Sequence, residues 1–248
     1  MAANKGKQKL EAQRAARRAA ARRAGAGAAA TVEDGDTFGE VIAAAGLLAK
    51  IAAGTHTVIR RAEAYIVAEA RIQLKVISCY ACDAPKGCCS LTVIAALHEA
   101  VPIAAQLRGD GRDTEALRDR LRDAAMAMEA KASTNYRSPC VFLDADQRCT
   151  IYDSRPSACG TAFVSSPPLA CSDPRAGAAE PFANREAELV DQIARAFAAE
   201  VNLVELPGPY LGVLPRMVLL CLRAWDRQDY AAYLAEHGLR AGMRAIGR

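Results

Sequence analysis

From Thr37 onward, apolar residues recur every three or four positions, the spacing of helices with one buried face. "TFGE" (Thr37–Glu40) is a capping box that opens the first helix. Phe38, Val41, Ile42, Ala45, Leu48 and Ile51 form its buried stripe, and Gly54 ends it. A second helix is predicted over Thr57–Lys75, with Val58, Ala62, Tyr65, Ile66 and Ile72 inward. "SLTVIAALHEAV" (Ser90–Val101) reads as a short helix with Ser90 as its cap. "RGDGRD" breaks the pattern, and Leu117, Leu121, Ala124 and Met128 restore it over Asp113–Lys131. A helix restarts near Asn184, with Glu186 and Glu188 in its first turn and Leu189, Ile193, Phe197, Val201 and Val204 on its apolar face. "LPGPYLG" breaks that helix, and one or two more close the chain, including the apolar "VLPRMVLLCLRAW".

The helical pattern fails in two places, and both are rich in cysteine. One is "CYACDAPKGCC" (Cys79–Cys89); the other fills 138–160 and continues as the Pro-, Ser- and Gly-rich "FVSSPPLACSDPRAG". Strand signals are confined to "CVFL" and "RCTIY", which can pair as a short hairpin across "DADQ". No internal repeat is visible. The expected fold is mainly α: a single helical domain over 35–248 around an irregular cysteine-rich centre, with at most one short β-hairpin.

Composition changes this picture little, but charge adds a tail. Hydrophobic residues make up 52% of the 248, enough for a core, and aromatics only 5%, which argues against a β-sandwich or barrel. Residues 1–30 hold eight of the 32 Lys and Arg and one acid, Glu11; beyond them, 24 basic side chains face 27 acidic ones. The folded part is therefore not a basic nucleic-acid binder by composition. Residues 1–34 read as a basic Ala/Arg-rich tail, whose charge suits weak, salt-sensitive contact with nucleic acid or acidic surfaces. No stretch approaches the roughly 20 apolar residues of a membrane span, and no apolar segment of a secretory signal follows the basic start. The expected location is cytoplasmic.

Nine cysteines remain to be explained: Cys79, Cys82, Cys88, Cys89, Cys140, Cys149, Cys159, Cys171 and Cys221. Cys221 sits in "VLLCLRAW" and reads as a small core hydrophobe. Disulfides suit oxidising compartments and small domains without a core, and the adjacent Cys88 and Cys89 are awkward partners for one another. A catalytic thiol needs a base, yet His56, His98 and His237 all lie outside the two cysteine loops. The strand-to-helix context of a Cys-x-x-Cys redox pair is missing at Cys79/Cys82. Metal chelation explains most. Cys79 and Cys82 have the spacing at which two thiolates grip one ion from a tight turn. The pair Cys88-Cys89 points to more than one metal, or to a cluster with several corners. Pro156 suits a helix start, which puts Cys159 in a first turn where the helix dipole favours thiolate. Lys86, Arg137, Arg148 and Arg155 are candidates to offset the thiolate charge.

"CYACDAPKGCC" together with "PCVFLDADQRCTIYDSRPSAC" resembles the YkgJ-type cysteine-cluster family, the zinc- or iron-chelating CxxCxxCC domain. The likeness spans Val76 to Cys171. It assigns Cys79, Cys82, Cys88 and Cys89 to the family's first loop, and Pro139, Cys140, Phe142 and Leu143 to its second segment. Cys149, Ile151, Tyr152, Arg155, Pro156 and Cys159 fall on the third. Five residues separate Cys82 from Cys88, where the family loop has two, which puts in question how those thiols share an ion.

All-sulfur ligation suits Zn²⁺, Cu(I) or an iron–sulfur cluster and not Mg²⁺ or Ca²⁺. The expected ligands are Cys79, Cys82, Cys88, Cys89, Cys140, Cys149, Cys159 and Cys171. Iron is slightly preferred to zinc, because the spacings match no zinc finger and because two of the thiols are adjacent. Two function classes stay open: a metal-binding protein that chelates iron or zinc, including a structural two-zinc domain, and a cluster-dependent metalloenzyme. His98, Glu99, Asp144, Asp146 and Asp153 are the titratable residues near the loops that an enzyme could use. No dinucleotide fingerprint or P-loop is present.

Overall fold

The structure is a computed structural model and describes residues 37–40, 87–131, 136–161, 164–180 and 211–245. The basic tail, the helices expected over 57–75 and from Asn184, and Cys79 and Cys82 lie outside the described residues. The described residues are mainly helical, with one short two-stranded antiparallel sheet.

The capping box at Thr37 forms as written. Thr37 N–H donates to Glu40 Oε2 at 2.7 Å, and Glu40 N–H donates to Thr37 Oγ1 at 3.3 Å. These bonds hold the Glu40 carboxyl below its ordinary pKa. Just inside the cap, Phe38 is fully buried, edge-on to Trp225 at 5.9 Å and tilted against Tyr230 at 5.2 Å. Gly39 makes the closest approach. Its N–H donates to the Trp225 carbonyl at 2.9 Å, and a Cβ there would lie 2.5 Å from the indole nitrogen.

The helices are α1 (Leu97–Gly109), α2 (Glu115–Glu129), α3 (Ser157–Thr161), α4 (Leu214–Ala224) and α5 (Tyr230–Ala245). The apolar run predicted to close the chain becomes α4, which packs against α1, α2 and α5. Met217, Val218, Leu219, Leu220, Cys221 and Leu222 are all buried, with Arg216 and Arg223 seven residues apart on the helix's one polar face. Cys221 is a core residue, and burial pushes its thiol pKa up. Arg216, on the same helix, donates twice to Glu129 of α2 at 2.9 Å, with both side chains largely buried. Asp113, between α1 and α2, accepts from Arg108 and Arg118. No helix among the described residues is long and apolar enough to cross a membrane.

Three expectations change. Ser90 does not cap a helix over 90–101; it ends a 3₁₀ turn, Gly87–Ser90. After it comes β1 (Ile94–Ala96), which pairs antiparallel with β2 (Leu211–Val213), Ile94 opposite Val213. Helix α1 then starts at Leu97 and runs to Gly109 through Pro102, whose lost backbone bond is offset by the burial of Val101, Ile103, Ala104 and Leu107. Its N-cap is Ala96, which has no capping side chain, and the Glu99 carboxylate reaches back to the Ala96 N–H instead, at 2.9 Å. In α2 the inward alanine is Ala125 rather than Ala124, one step round the helix from the expected stripe. The hairpin across "DADQ" shrinks to a single bridge, Leu143 to Cys149.

Candidate metal centre

Three chain segments carry the described loop cysteines. The first is the turn Gly87–Ser90, which carries Cys88 and Cys89. The second runs alongside it: Cys140 N–H donates to the Cys89 carbonyl at 2.9 Å, and Ser138 N–H to the Ser90 carbonyl at 3.2 Å. Past Cys140 the chain dips into the core with Phe142, turns, and dips again with Ile151; both are 1% exposed. Each such burial is worth about 1.5–3 kcal/mol. The turn between them is set by Asp144, whose Oδ1 accepts from Arg148 N–H at 2.7 Å and whose carbonyl accepts from Gln147 N–H at 3.1 Å. Gln147 takes the left-handed backbone there, φ 60°. The turn returns Cys149 opposite Leu143.

The third segment, 150–159, is short turns and the five-residue α3, too little regular structure to hold itself. Helix α1 and the turn after it hold it by side chains. Gln106 donates to the Thr150 carbonyl at 3.2 Å and accepts from Ser154 Oγ at 2.6 Å. Arg112 donates to the Thr150 carbonyl at 3.2 Å and to Thr150 Oγ1 at 2.7 Å. Glu99, two helical turns before Gln106, accepts from Ser157 N–H at 2.8 Å and from Ser157 Oγ at 2.6 Å. Both Glu99 and Ser157 are buried. Cys159 follows two residues later.

The thiols sense one another. The Cys89 S–H donates to the Cys88 sulfur, which holds the Cys88 thiol below its ordinary pKa, and Arg155 adds to that. The same bond pushes Cys89 up, followed by burial and by the charges of Cys88, Cys140 and Cys159. Burial raises Cys140, with Cys149 adding, while the Phe142 N–H aimed at its sulfur opposes. Burial also raises Cys159, with Cys140, Cys149 and Glu99 adding. Against the expectation that a helix dipole favours Cys159 thiolate, burial dominates: α3 has only five residues and offers little dipole. Of the proposed counter-charges, Arg155 is the one these thiols feel; it lies over the Tyr152 ring at 4.1 Å. Arg137 donates instead to the carbonyls of Ala170 and Tyr136, at 2.9 and 2.6 Å, and Arg148 lies 3.9 Å from Asp146 on the surface. Lys86 lies outside the described residues.

Cys171 packs beside Gly87, the residue before Cys88. It is buried in the turn Pro168–Cys171, and a Cβ built on Gly87 would lie 3.2 Å from its Cβ. No disulfide joins the seven described cysteines to one another. Among the described residues, no three ligating side chains already stand close enough to hold an ion. His98 and Glu99 are buried in α1, while Asp144, Asp146 and Asp153 are exposed turn residues. Ser157, Gln106, Thr150 and Arg112 carry the segment and had no signal in the sequence: their partners lie 38 to 58 residues away.

The chemistry of the donor set fits a thiophilic ion. Burial favours the protonated thiol at Cys89, Cys140 and Cys159, and a thiophilic ion such as zinc or iron displaces such protons on binding. Residues 78–184 match the model of the CxxCxxCC family, described as a "putative zinc- or iron-chelating domain". No curated protein and no solved structure matches the chain.

Proposed function

Residues 78–184 being a CxxCxxCC domain, we propose that the chain chelates iron as an iron–sulfur cluster, through thiolates among Cys79, Cys82, Cys88, Cys89, Cys140, Cys149, Cys159 and Cys171. One observation supports this most. Cys140 N–H donates to the Cys89 carbonyl at 2.9 Å, so two cysteine segments run side by side, and the half-buried Cys159 of the third feels the charges of Cys140 and Cys149. Four thiolates are what a four-cysteine cluster needs, and also what one zinc needs. The adjacent Cys88-Cys89 pair and the surplus of thiols favour the cluster, whose several corners accept neighbouring sulfurs more readily than a single tetrahedral ion. The bound metal ties the turn Gly87–Ser90 to segments 140–149 and 157–159, so it supports the fold as well as being carried by it. Thiols rather than disulfides at Cys88, Cys89, Cys140, Cys149 and Cys159 suit a reducing compartment, the cytoplasm.

A second reading has its own observation. A groove of about 490 Å³ reaches Cys140, lined also by Arg120, Asp123, Tyr136, Asp144 and Gln147. Titratable side chains beside a ligand would let a substrate approach the metal, as a cluster-dependent enzyme requires.

Anaerobic purification, followed by metal and sulfide analysis and an optical spectrum, tests the reading. Iron with inorganic sulfide and broad visible absorption is expected. A colourless protein with stoichiometric zinc would replace the cluster with structural zinc. A metal-free protein without titratable thiols would overturn chelation.

A further inference from the structure

The Glu99 carboxylate splits its two oxygens between two tasks. Oε2 closes the start of α1 through the Ala96 N–H at 2.9 Å. Oε1 accepts from both the N–H and the Oγ of Ser157, at 2.8 and 2.6 Å. Capping α1 needs one oxygen only, and a neutral Gln could serve it. The second oxygen is committed to another segment 58 residues on. Burying a carboxylate is costly unless donors surround it, and charge-assisted bonds to a buried N–H and O–H are the strong kind. Their effect falls on α3, a single turn of helix with little stability of its own. Cys159 lies in that turn, next in line after Ala158.

We propose that Glu99 is a positioning residue for the metal site: it clamps both donors of Ser157 and so fixes the Cys159 sulfur against those of Cys140 and Cys149. The inference rests on the reading of Cys159 as a ligand. It makes α1 the rigid part of the site. The metal meets a sulfur already held to the core by a carboxylate, and the carboxylate's charge also favours a cation nearby over the bare thiolates.

Co²⁺ titration of the full chain under reducing, anaerobic conditions, read by its visible bands and by chelator competition, tests the proposal. Ser157→Ala removes one bond to Oε1 and leaves the Oε2 cap intact. It is expected to weaken Co²⁺ binding about tenfold, as loss of a partner one step behind a ligand commonly does, and to shift the visible bands. Melting of the metal-free protein should barely change. Ser157→Thr keeps both donors and should restore wild-type affinity, which guards against a variant that merely folds badly. Arg216→Met breaks a largely buried pair with Glu129, away from the cysteine segments, and should leave the bands in place. Unchanged affinity in Ser157→Ala, no rescue by Ser157→Thr, or equal losses in Ser157→Ala and Arg216→Met would each overturn the positioning role. Wild-type protein that takes up no Co²⁺ would overturn metal binding itself.

Discussion

Around Met217 and Leu219 the chain is ordered by apolar contact on every side; between Cys140 and Cys159 it is ordered by two apolar plugs and a set of hydrogen bonds to α1. The first region is held by its own buried side chains. The second is anchored at Phe142, Ile151 and Ser157 but leaves its thiols converging without closing on one another. A region with few buried apolar groups opens at lower free energy than the core does. A metal held by the proposed ligands would add little to α1, α2 and α4, and much to the cysteine segments.

The sharpest way to break the comparison is to remove the metal. Chelation of the loaded protein, or Cys140→Ser, Cys149→Ser or Cys159→Ser, should abolish metal binding and expose residues 138–160 to limited proteolysis. Helix content in α1, α2 and α4 should persist. Full metal retention with unchanged melting in all three variants would remove these thiols from the site. Next in size is Leu219→Ala, which should cost about 2–5 kcal/mol in denaturant unfolding. Because the cavity lies in the core, the loss should be the same with and without metal. A loss that depended on metal would mean the two regions are one cooperative unit.

The smallest effect is electrostatic and belongs to the core side alone. Bonds from Arg118, then its charge and that of Arg108, hold the Asp113 carboxyl below its ordinary pKa. A depressed carboxylate contributes stability that is complete above its unfolded pKa and is lost as pH falls through the folded value. Wild-type protein should therefore lose more stability than Asp113→Asn between about pH 5 and about pH 2. Equal losses would show that the Arg108–Asp113–Arg118 group adds nothing to the fold.

The two regions also differ in how far their sequence could be read. Local chemistry was legible. Thr37 and Glu40 form their box, Leu117, Leu121 and Met128 face inward, and Cys221 is a core residue. The cysteine spacing pointed to a shared site; the backbones of Cys89 and Cys140 do run together, but no three described ligating side chains stand close enough to hold an ion. What escaped was long-range. Three-residue strands such as "IAA" and "LGV" show no alternation long enough to notice, and they pair across the chain. Ala96 gives no sign of being a cap, because the capping group is borrowed from Glu99. Pro102 argues for a helix end that buried packing overrides. The reach of Glu99 to Ser157 depends on two segments meeting, which no spacing within either one reveals.

The pairing of Ile94 with Val213 has a kinetic side. It closes a loop of more than a hundred residues, and contacts so distant in sequence form late and slowly. Cys89 lies just before β1, and Cys159 lies roughly midway along the loop toward β2. A metal that joins them early would leave about half that length of chain to search for its partner, easing closure by about 0.6 kcal/mol per halving. Metal supply during synthesis would then set how quickly the sheet, and the helix α4 that follows it, find their places.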